Sequence, residues 1–143
     1  MYKFPEEFDP AIFVGRTLEM VCVNATQVYF HFDHDLYVGA QSPFGFEKQD
    51  KSFSVVQIPF DQCDVFQLLE HNVARAQVKR DVWFTAICAD GAGADVSQPL
   101  TRTETRKGDV LILTFDNGAS LRFDPTPGYE SYRVVVSGKE IFI

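Results

Sequence analysis

Two pairs of segments in this chain carry the same order of apolar and polar positions. The apolar positions of residues 13–23 recur in residues 68–78, at an offset of 55. Those of residues 28–38 recur without a gap in residues 111–121, at an offset of 83. Internal similarity of this kind predicts two copies of one structural unit.

The change in offset locates one large insertion. Because the offset increases from 55 to 83, 28 extra residues lie in the second copy between Lys79 and Leu111. A third block, residues 52–56, matches residues 131–135 at an offset of 79. We therefore expect each copy to close with an equivalent strand.

Apolar and polar residues alternate with a period of two within each copy, which is typical of antiparallel strands with one solvated face. We predict a single domain of residues 1–143 with pseudo-repeats at 11–60 and 61–143 and an inserted arm at about 80–108. The predicted fold class is mainly β. Two antiparallel meanders, each preceded by a short helical turn, pack face to face over a phenylalanine-rich core as a sandwich or open barrel.

The helical turn of the second copy is predicted from its caps and its apolar spacing. Asp61 or Asp64 is placed to cap it. Phe66, Leu69 and, as an open alternative, Val65 share the face that is predicted to be buried.

The second copy contains a hairpin whose loop length follows from the pairing of apolar residues. Residues 117–118 are Asn-Gly, which is typical of a two-residue turn. A three-residue loop over residues 116–118 instead pairs Leu113 with Leu121 and Leu111 with Phe123, so that apolar residues face each other. We therefore predict a bulged turn whose glycine has a positive φ.

The first copy is predicted to form a hairpin with a loop of the same length. The loop is residues 33–35, and it pairs Phe32 with Leu36. Asp35 takes the position of the glycine, and Asp tolerates the left-handed region better than most residues.

The inserted arm is the candidate for function. Residues 82–88 are apolar on both alternating faces, whereas residues 89–108 are polar and carry no clear pattern. Trp83 is expected in the core, with a binding hot spot as the alternative. The second apolar face of the segment predicts a homodimer with Trp83 or Ile87 at the contact, because monomers rarely expose large apolar patches.

The predicted binding residues all belong to this arm, because loops on a rigid scaffold commonly carry function. They are Trp83, Ile87, Asp90, Asp95, Arg102 and Glu104.

The overall charge limits the class of partner. The chain of 143 residues has 20 acidic and 13 basic residues, a formal charge of −7. An acidic protein repels phosphate backbones, so we expect no nucleic-acid binding, while a basic protein partner would be attracted. No apolar run approaches the roughly 20 residues that span a membrane, and the N-terminus does not resemble a signal peptide. The expected location is cytoplasmic.

No group of residues indicates catalysis, a cofactor or a metal. His31, Asp33 and His34 fall near one hairpin end and could hold a divalent ion weakly, but a solvated strand face that ends in a turn explains them better. Residues 90–95 are glycine-rich and lack the lysine of a phosphate-binding loop. The three cysteines are odd in number and have no metal-ligand spacing, which favours a reducing compartment and no disulfide.

Residues 111–121, followed by residues 129–132, resemble a recurring bacterial pattern. The pattern is L-x-L-x-F-D-N-G-x-x-L with a closing E-S-W/Y, and the chain has LILTFDNGASL and YESY at these positions. It is found in small bacterial β-domain families without an assigned activity, some of which resemble immunity proteins of toxin systems. The resemblance implies a binding role and carries over no catalytic residue.

Two classes of function therefore remain open from the sequence. The first is a non-catalytic protein-binding domain of bacterial type, such as an immunity or antitoxin-like protein or an accessory protein. The alternative is a small-ligand-binding protein or small enzyme with a pocket between the two β-units.

Overall fold

In the computed structural model of the chain, the described residues are 3–56, 64–89, 101–124 and 132–142. The first half contributes five strands, β1 (Leu18–Val23), β2 (Val28–Phe32), β3 (Leu36–Ala40), β4 (Phe44–Glu47) and β5 (Phe53–Val56). The second half contributes β6 (Val73–Ala89), β7 (Thr101–Phe115), β8 (Ser120–Phe123), β9 (Tyr132–Val136) and β10 (Lys139–Phe142). A 3₁₀ turn precedes each set, at Pro10–Phe13 and Asp64–Leu68.

The strands form two antiparallel five-stranded sheets. The order in sheet 1 is β1-β2-β3-β9-β10, and the order in sheet 2 is β5-β4-β8-β7-β6. Phenylalanines from the two sheets meet between them, with the ring centroids of Phe30 and Phe123 6.1 Å apart and those of Phe32 and Phe115 6.3 Å apart. The fold is mainly β and a sandwich, as predicted, and it is not a closed barrel.

The two sheets share one strand order once the halves are matched. We take β6 to β10 as the equivalents of β1 to β5. From its other edge, sheet 2 has the order β6-β7-β8-β4-β5, which is the order of sheet 1 with each strand replaced by its equivalent in the other half. Each sheet therefore takes three strands from one half and two from the other. The two halves are not separate layers, contrary to our expectation that they would pack face to face.

The third block of the sequence comparison was wrong. It matched β5 with β9, but β9 lies beside β3 and β4 lies beside β8. Val38 and Leu121 are equivalent at the offset of 83. Because Val38 pairs with Val134 and Leu121 pairs with Phe46, Val134 is equivalent to Phe46, and β9 corresponds to β4 at an offset of 88. Short strands with the same alternation are interchangeable in a pattern, so only the pairing distinguishes them.

The pairing of the first two strands in each half repeats at the offsets 55 and 83. Leu18 pairs with Phe32, and Val73 pairs with Phe115. Each pair is followed by a bulge, which ends at Met20 in β1 and at the corresponding position in β6. A bulge at the same place in both halves gives both edge strands the same bend.

Besides the β3–β9 and β4–β8 pairings, an isolated bridge between Thr17 and Asn72 joins the two halves. Thr17 Oγ1 donates to Asn72 Oδ1 at 2.5 Å. The backbone of Asp33 donates to Thr17 O at 3.0 Å, and the backbone of Asp116 donates to Asn72 O at 2.8 Å. These contacts come in pairs because a pseudo-two-fold axis passes through this bridge.

Both predicted hairpins are confirmed. Leu113 pairs with Leu121, Leu111 pairs with Phe123, and Gly118 has a φ of +88°. In the other hairpin the corresponding pairs are Phe30 with Val38 and Val28 with Ala40, and the predicted pair of Phe32 with Leu36 also forms. The loops have equal length, although His34 joins Asp35 at positive φ in the first copy, at 55° and 57°.

The buried face predicted for the second helical turn was right in part. Val65 is fully buried and Leu69 is half-buried against the core, but Phe66 is exposed and Leu68 takes its place in the core. Phe66 and Leu69 are three residues apart, and so are Val65 and Leu68. The pattern therefore predicted the helical period but not which of these pairs faces the core. The end of the turn sets the phase, because the backbone N–H of Glu70 donates to Leu18 O at 2.8 Å.

Candidate functional site

The inserted arm is a two-stranded ribbon formed by the ends of β6 and β7. Residues 82–89 pair with residues 101–108 after an irregularity in β6 between Lys79 and Val82. Among the described residues, these segments pair only with each other, because β8 joins β7 from Leu111 onward. Residues 101–108, whose sequence has no clear pattern, therefore belong to a strand. A ribbon without a covering layer needs no apolar face, so apolar periodicity does not reveal it.

The ribbon brings four of the six predicted binding residues onto one element. The cross-strand pairs that involve them are Trp83 with Lys107, Ala86 with Glu104, Ile87 with Thr103 and Cys88 with Arg102. Asp90 and Asp95 lie outside the described residues.

Trp83 lies on the surface rather than in the core. Its side chain is 62% exposed, the largest exposed fraction among the large apolar residues that are exposed in the described parts of the chain. Lys107 Nζ lies 4.6 Å from its ring centroid, in a cation–π contact. The expectation of a core position was wrong, because Trp83 lies in the part of β6 that forms the ribbon of the arm and its side chain is exposed there.

The base of the arm is held by a buried carboxylate. Asp109 is only 1% exposed, and its carboxylate accepts the backbone N–H of Phe4 at 2.8 Å and of Asp81 at 3.1 Å. Arg80 Nη1 donates to the same carboxylate at 2.8 Å and to Phe4 O at 2.6 Å. The ion pair and the hydrogen bonds compensate for the desolvation of the charge.

Nearby, Lys3 forms an exposed ion pair with Asp81. The hydrogen bond from Lys3 lowers the pKa of Asp81 below its ordinary value. These contacts fasten the N-terminal segment to the base of the arm. Sequence reasoning missed Asp109, whose only signal was a single acidic residue directly before the apolar run of β7.

A second feature lies on the outer face of sheet 1, where three rings form an aromatic cluster. The ring centroids of His31 and Tyr37 are 5.1 Å apart, and those of Tyr29 and Tyr37 are 5.9 Å apart. Tyr29 lies against the backbone of Gly39, since a Cβ there would be 2.9 Å from its ring. Arg133 Nη2 donates to Tyr29 Oη at 3.2 Å, and its guanidinium carbon lies 6.0 Å from the Tyr37 centroid.

A cavity of about 670 Å³ adjoins this cluster at the β2–β3 hairpin. Its lining includes Glu19, His31, Asp35, Tyr37, Gly138 and Glu140. It thus combines strands of both halves within one sheet, whereas the predicted pocket between the β-units corresponds to the aromatic core. Sequence reasoning noted two of the histidines here but not the tyrosines, because residues on β2, β3 and β9 come together only through the sheet.

The hairpin residues considered as metal ligands do not form a cluster of that kind. His34 Nε2 lies 3.7 Å from Asp33 Oδ2. Within the described residues, no group of three or more His, Cys, Asp or Glu side chains is arranged to hold a metal ion. Cys22 has a free thiol, and Cys63 lies outside the described residues.

The pseudo-equivalent face of sheet 2 lacks the aromatic cluster. Ile112, Thr114 and Ser120 occupy the positions of Tyr29, His31 and Tyr37, respectively, as the offset of 83 places them. The two faces share a backbone and differ in chemistry.

Comparisons with protein-family models, with curated proteins and with solved structures find no match to this chain. Among the described residues, no helix is long and apolar enough to cross a membrane.

Proposed function

We propose that this protein is a non-catalytic protein-binding domain of bacterial type, and that its arm is the contact element. On this proposal it acts as an immunity or antitoxin-like protein or as an accessory protein. The class agrees with the resemblance of its second hairpin to bacterial β-domains.

The observation that carries the proposal is the open ribbon of the arm. Eight consecutive residue pairs, from Val82–Gly108 to Ala89–Thr101, have no third strand among the described residues. An isolated two-stranded hairpin is marginally stable in water, and an open strand edge is a template for pairing with another chain. An arm of this kind is stabilised when a partner covers it.

Trp83 adds a side chain suited to such a contact. Its exposed ring combines a large apolar surface with an N–H donor, and Trp is enriched among residues that dominate binding energy. Lys107 covers one part of the ring and leaves most of it accessible. The arm therefore offers both an aromatic anchor and a strand edge.

The first partner to test is a second copy of the chain. Symmetric dimers are the commonest assemblies, and two ribbons related by a two-fold axis present the same edge to each other. A dimer through the arm would cover Trp83 and the apolar residues of β6 together.

The alternative class, a small-ligand-binding protein or small enzyme with a pocket between the β-units, has less support. The described space between the sheets is filled by large side chains, among them Phe30, Phe44, Phe46 and Phe123, all at most 2% exposed. A ligand there would have to displace this core.

The test is sedimentation of the full chain at high micromolar concentration. We expect a wild-type dimer and a monomer for Trp83→Asp and for Ile87→Asp, each with an unchanged far-UV spectrum. Phe53→Asp is the matched control, since Phe53 is 55% exposed and lies outside the arm. A wild type that sediments as a monomer, or a dimer that persists in both arm variants, would reject the arm as a self-association element.

A further inference from the structure

The cavity on the outer face of sheet 1 is lined by carboxylates. Glu19, Asp33, Asp35 and Glu140 all contribute, and none of the described residues that line it is Lys or Arg. Arg133 offsets part of this charge from the side, with Nη1 3.7 Å from Glu140 Oε1. The excess negative charge favours a cationic occupant.

The aromatic cluster beside the cavity already holds one cation. The guanidinium carbon of Arg133 lies 5.7 Å from the centroid of Tyr29 and 6.0 Å from that of Tyr37. His31 pairs with Tyr37 across β2 and β3, with ring centroids 5.1 Å apart, and both residues line the cavity. Aromatic faces attract ammonium and guanidinium groups most strongly when neighbouring carboxylates add to the field.

The other face of the sandwich provides an internal comparison. By the register, the four carboxylates correspond to Ala74, Asp116, Gly118 and Phe53, of which only Asp116 is charged. His71 Nδ1 lies 2.7 Å from that carboxylate. Since the sheets close equally well in both cases, the scaffold does not require the charges and rings of sheet 1.

We propose that this cavity receives a lysine or arginine side chain of a basic protein partner. The inference rests on the proposed function in taking the occupant to be a protein, and it adds a second surface that is separate from the arm. Charge complementarity supports it, both at the cavity and in the formal charge of −7. Contact with the rings selects a flexible cationic side chain rather than a compact metal ion.

The experiment titrates the full chain with a deca-lysine peptide at low salt. NMR of the ring resonances locates the contact, and calorimetry gives the affinity. We expect shifts at His31 and Tyr37. Tyr37→Ala should weaken binding about fivefold, Asp35→Asn should weaken it about threefold, and Tyr37→Phe should restore it because the ring is kept.

Two matched controls come from sheet 2, the pseudo-equivalent of sheet 1. Ser120→Ala changes the equivalent of Tyr37, and Glu47→Gln removes one carboxylate from sheet 2. Both should bind deca-lysine as the wild type does. Equal weakening by Glu47→Gln and Asp35→Asn would show a diffuse effect of net charge and would overturn the proposal, as would the absence of shifts at His31 and Tyr37.

Spermine distinguishes a protein side chain from a small polyamine. If spermine shifts the same rings and binds more tightly than the peptide, the protein occupant is wrong. Trp83→Asp separates this proposal from the role of the arm, since it should abolish the dimer and leave the affinity for deca-lysine unchanged. A monomeric wild type that still binds the peptide at Tyr37 would reject the arm and support the cavity.

Discussion

The two halves of the chain make the same contacts near the pseudo-two-fold axis and differ away from it. Both have the bridge at Thr17 and Asn72, the bulge after the first paired residue and the three-residue hairpin loop. In contrast, β1 is joined to β2 by a short turn in which the backbone N–H of Asn24 donates to Gln27 O. The equivalent connection between β6 and β7 is the arm. The repeated contacts close the scaffold, so the unrepeated features are where function is best sought.

We expect the largest effect when a substitution at the base of the arm is compared with one in the equivalent turn between β1 and β2. Asp109→Ala leaves the N–H groups of Phe4 and Asp81 without their acceptor and removes the carboxylate that pairs with Arg80. We expect a loss of about 3 kcal/mol in the free energy of unfolding. Thr26→Ala, at the position that corresponds by the offset of 83, should cost less than about 0.5 kcal/mol, because its side chain is exposed.

Urea unfolding of the two variants measures the difference. If Asp109→Ala costs as little as Thr26→Ala, the base of the arm is not held by the carboxylate, and the arm differs from the turn only in length.

The hairpin loops give the next comparison. Gly118 has a φ of +88°, and a Cβ there would meet no atom within 4 Å, so any cost of substitution comes from the backbone. Gly118→Val should cost about 1–2 kcal/mol. Gly118→Asp, which copies Asp35 of the first loop, should cost about half as much, because Asp tolerates positive φ. Thermal unfolding checks this, and equal losses for Val and Asp would reject the equivalence of the loops.

Tyr132 and its equivalent Phe44 test the effect of one hydroxyl. Tyr132 Oη donates to Pro43 O at 2.7 Å, and Tyr132→Phe makes this position like the first copy. The lost hydrogen bond should cost about 1 kcal/mol below pH 9. Burial, with the charge of Asp124 as a smaller contribution, raises the pKa of Tyr132 above its ordinary value of 10.0.

This pKa shift gives the comparison a pH dependence of known sign. The folded state holds the proton more tightly than the unfolded state, so the contribution to stability is complete below pH 10 and is lost as the pH rises above it. The loss is about 1.4 kcal/mol per pH unit. The difference between wild type and Tyr132→Phe should therefore vanish near pH 11 in urea unfolding. If the difference in the free energy of unfolding between wild type and Tyr132→Phe stays constant from pH 8 to pH 11, the raised pKa of Tyr132 is contradicted.

The smallest effect concerns the loop aspartates. The hydrogen bond to His71, followed by that from the backbone of Asn72, lowers the pKa of Asp116 below its ordinary value of 3.8. Its contribution to stability is present above that value and is lost as the pH falls through the lowered pKa. In His71→Ala the pKa of Asp116 should rise towards 3.8, as followed by carboxyl ¹³C NMR, whereas His34→Ala should leave it unchanged.

Local patterns determined the strand content, the offsets of 55 and 83 and both hairpin loops. A loop length follows from which apolar residues must face one another, and this is decided within about ten residues of chain. The glycine at positive φ follows from the same local geometry. The resemblance to bacterial β-domains and the choice of the arm as the candidate site also came from the sequence, and the binding roles of Trp83, Ile87, Arg102 and Glu104 stay predictions.

The tertiary structure alone decided which strands are neighbours and what they leave uncovered. Strands β4 and β9 alternate in the same way, so only pairing between distant segments placed each beside the other half. Trp83 is exposed on a ribbon whose residues pair only with each other among the described residues, and the burial of Asp109 depends on Phe4 and Arg80 reaching it. The cavity beside Tyr37 combines residues about 100 positions apart. A one-dimensional pattern records which residues can be buried, but contacts between distant segments determine which of them are.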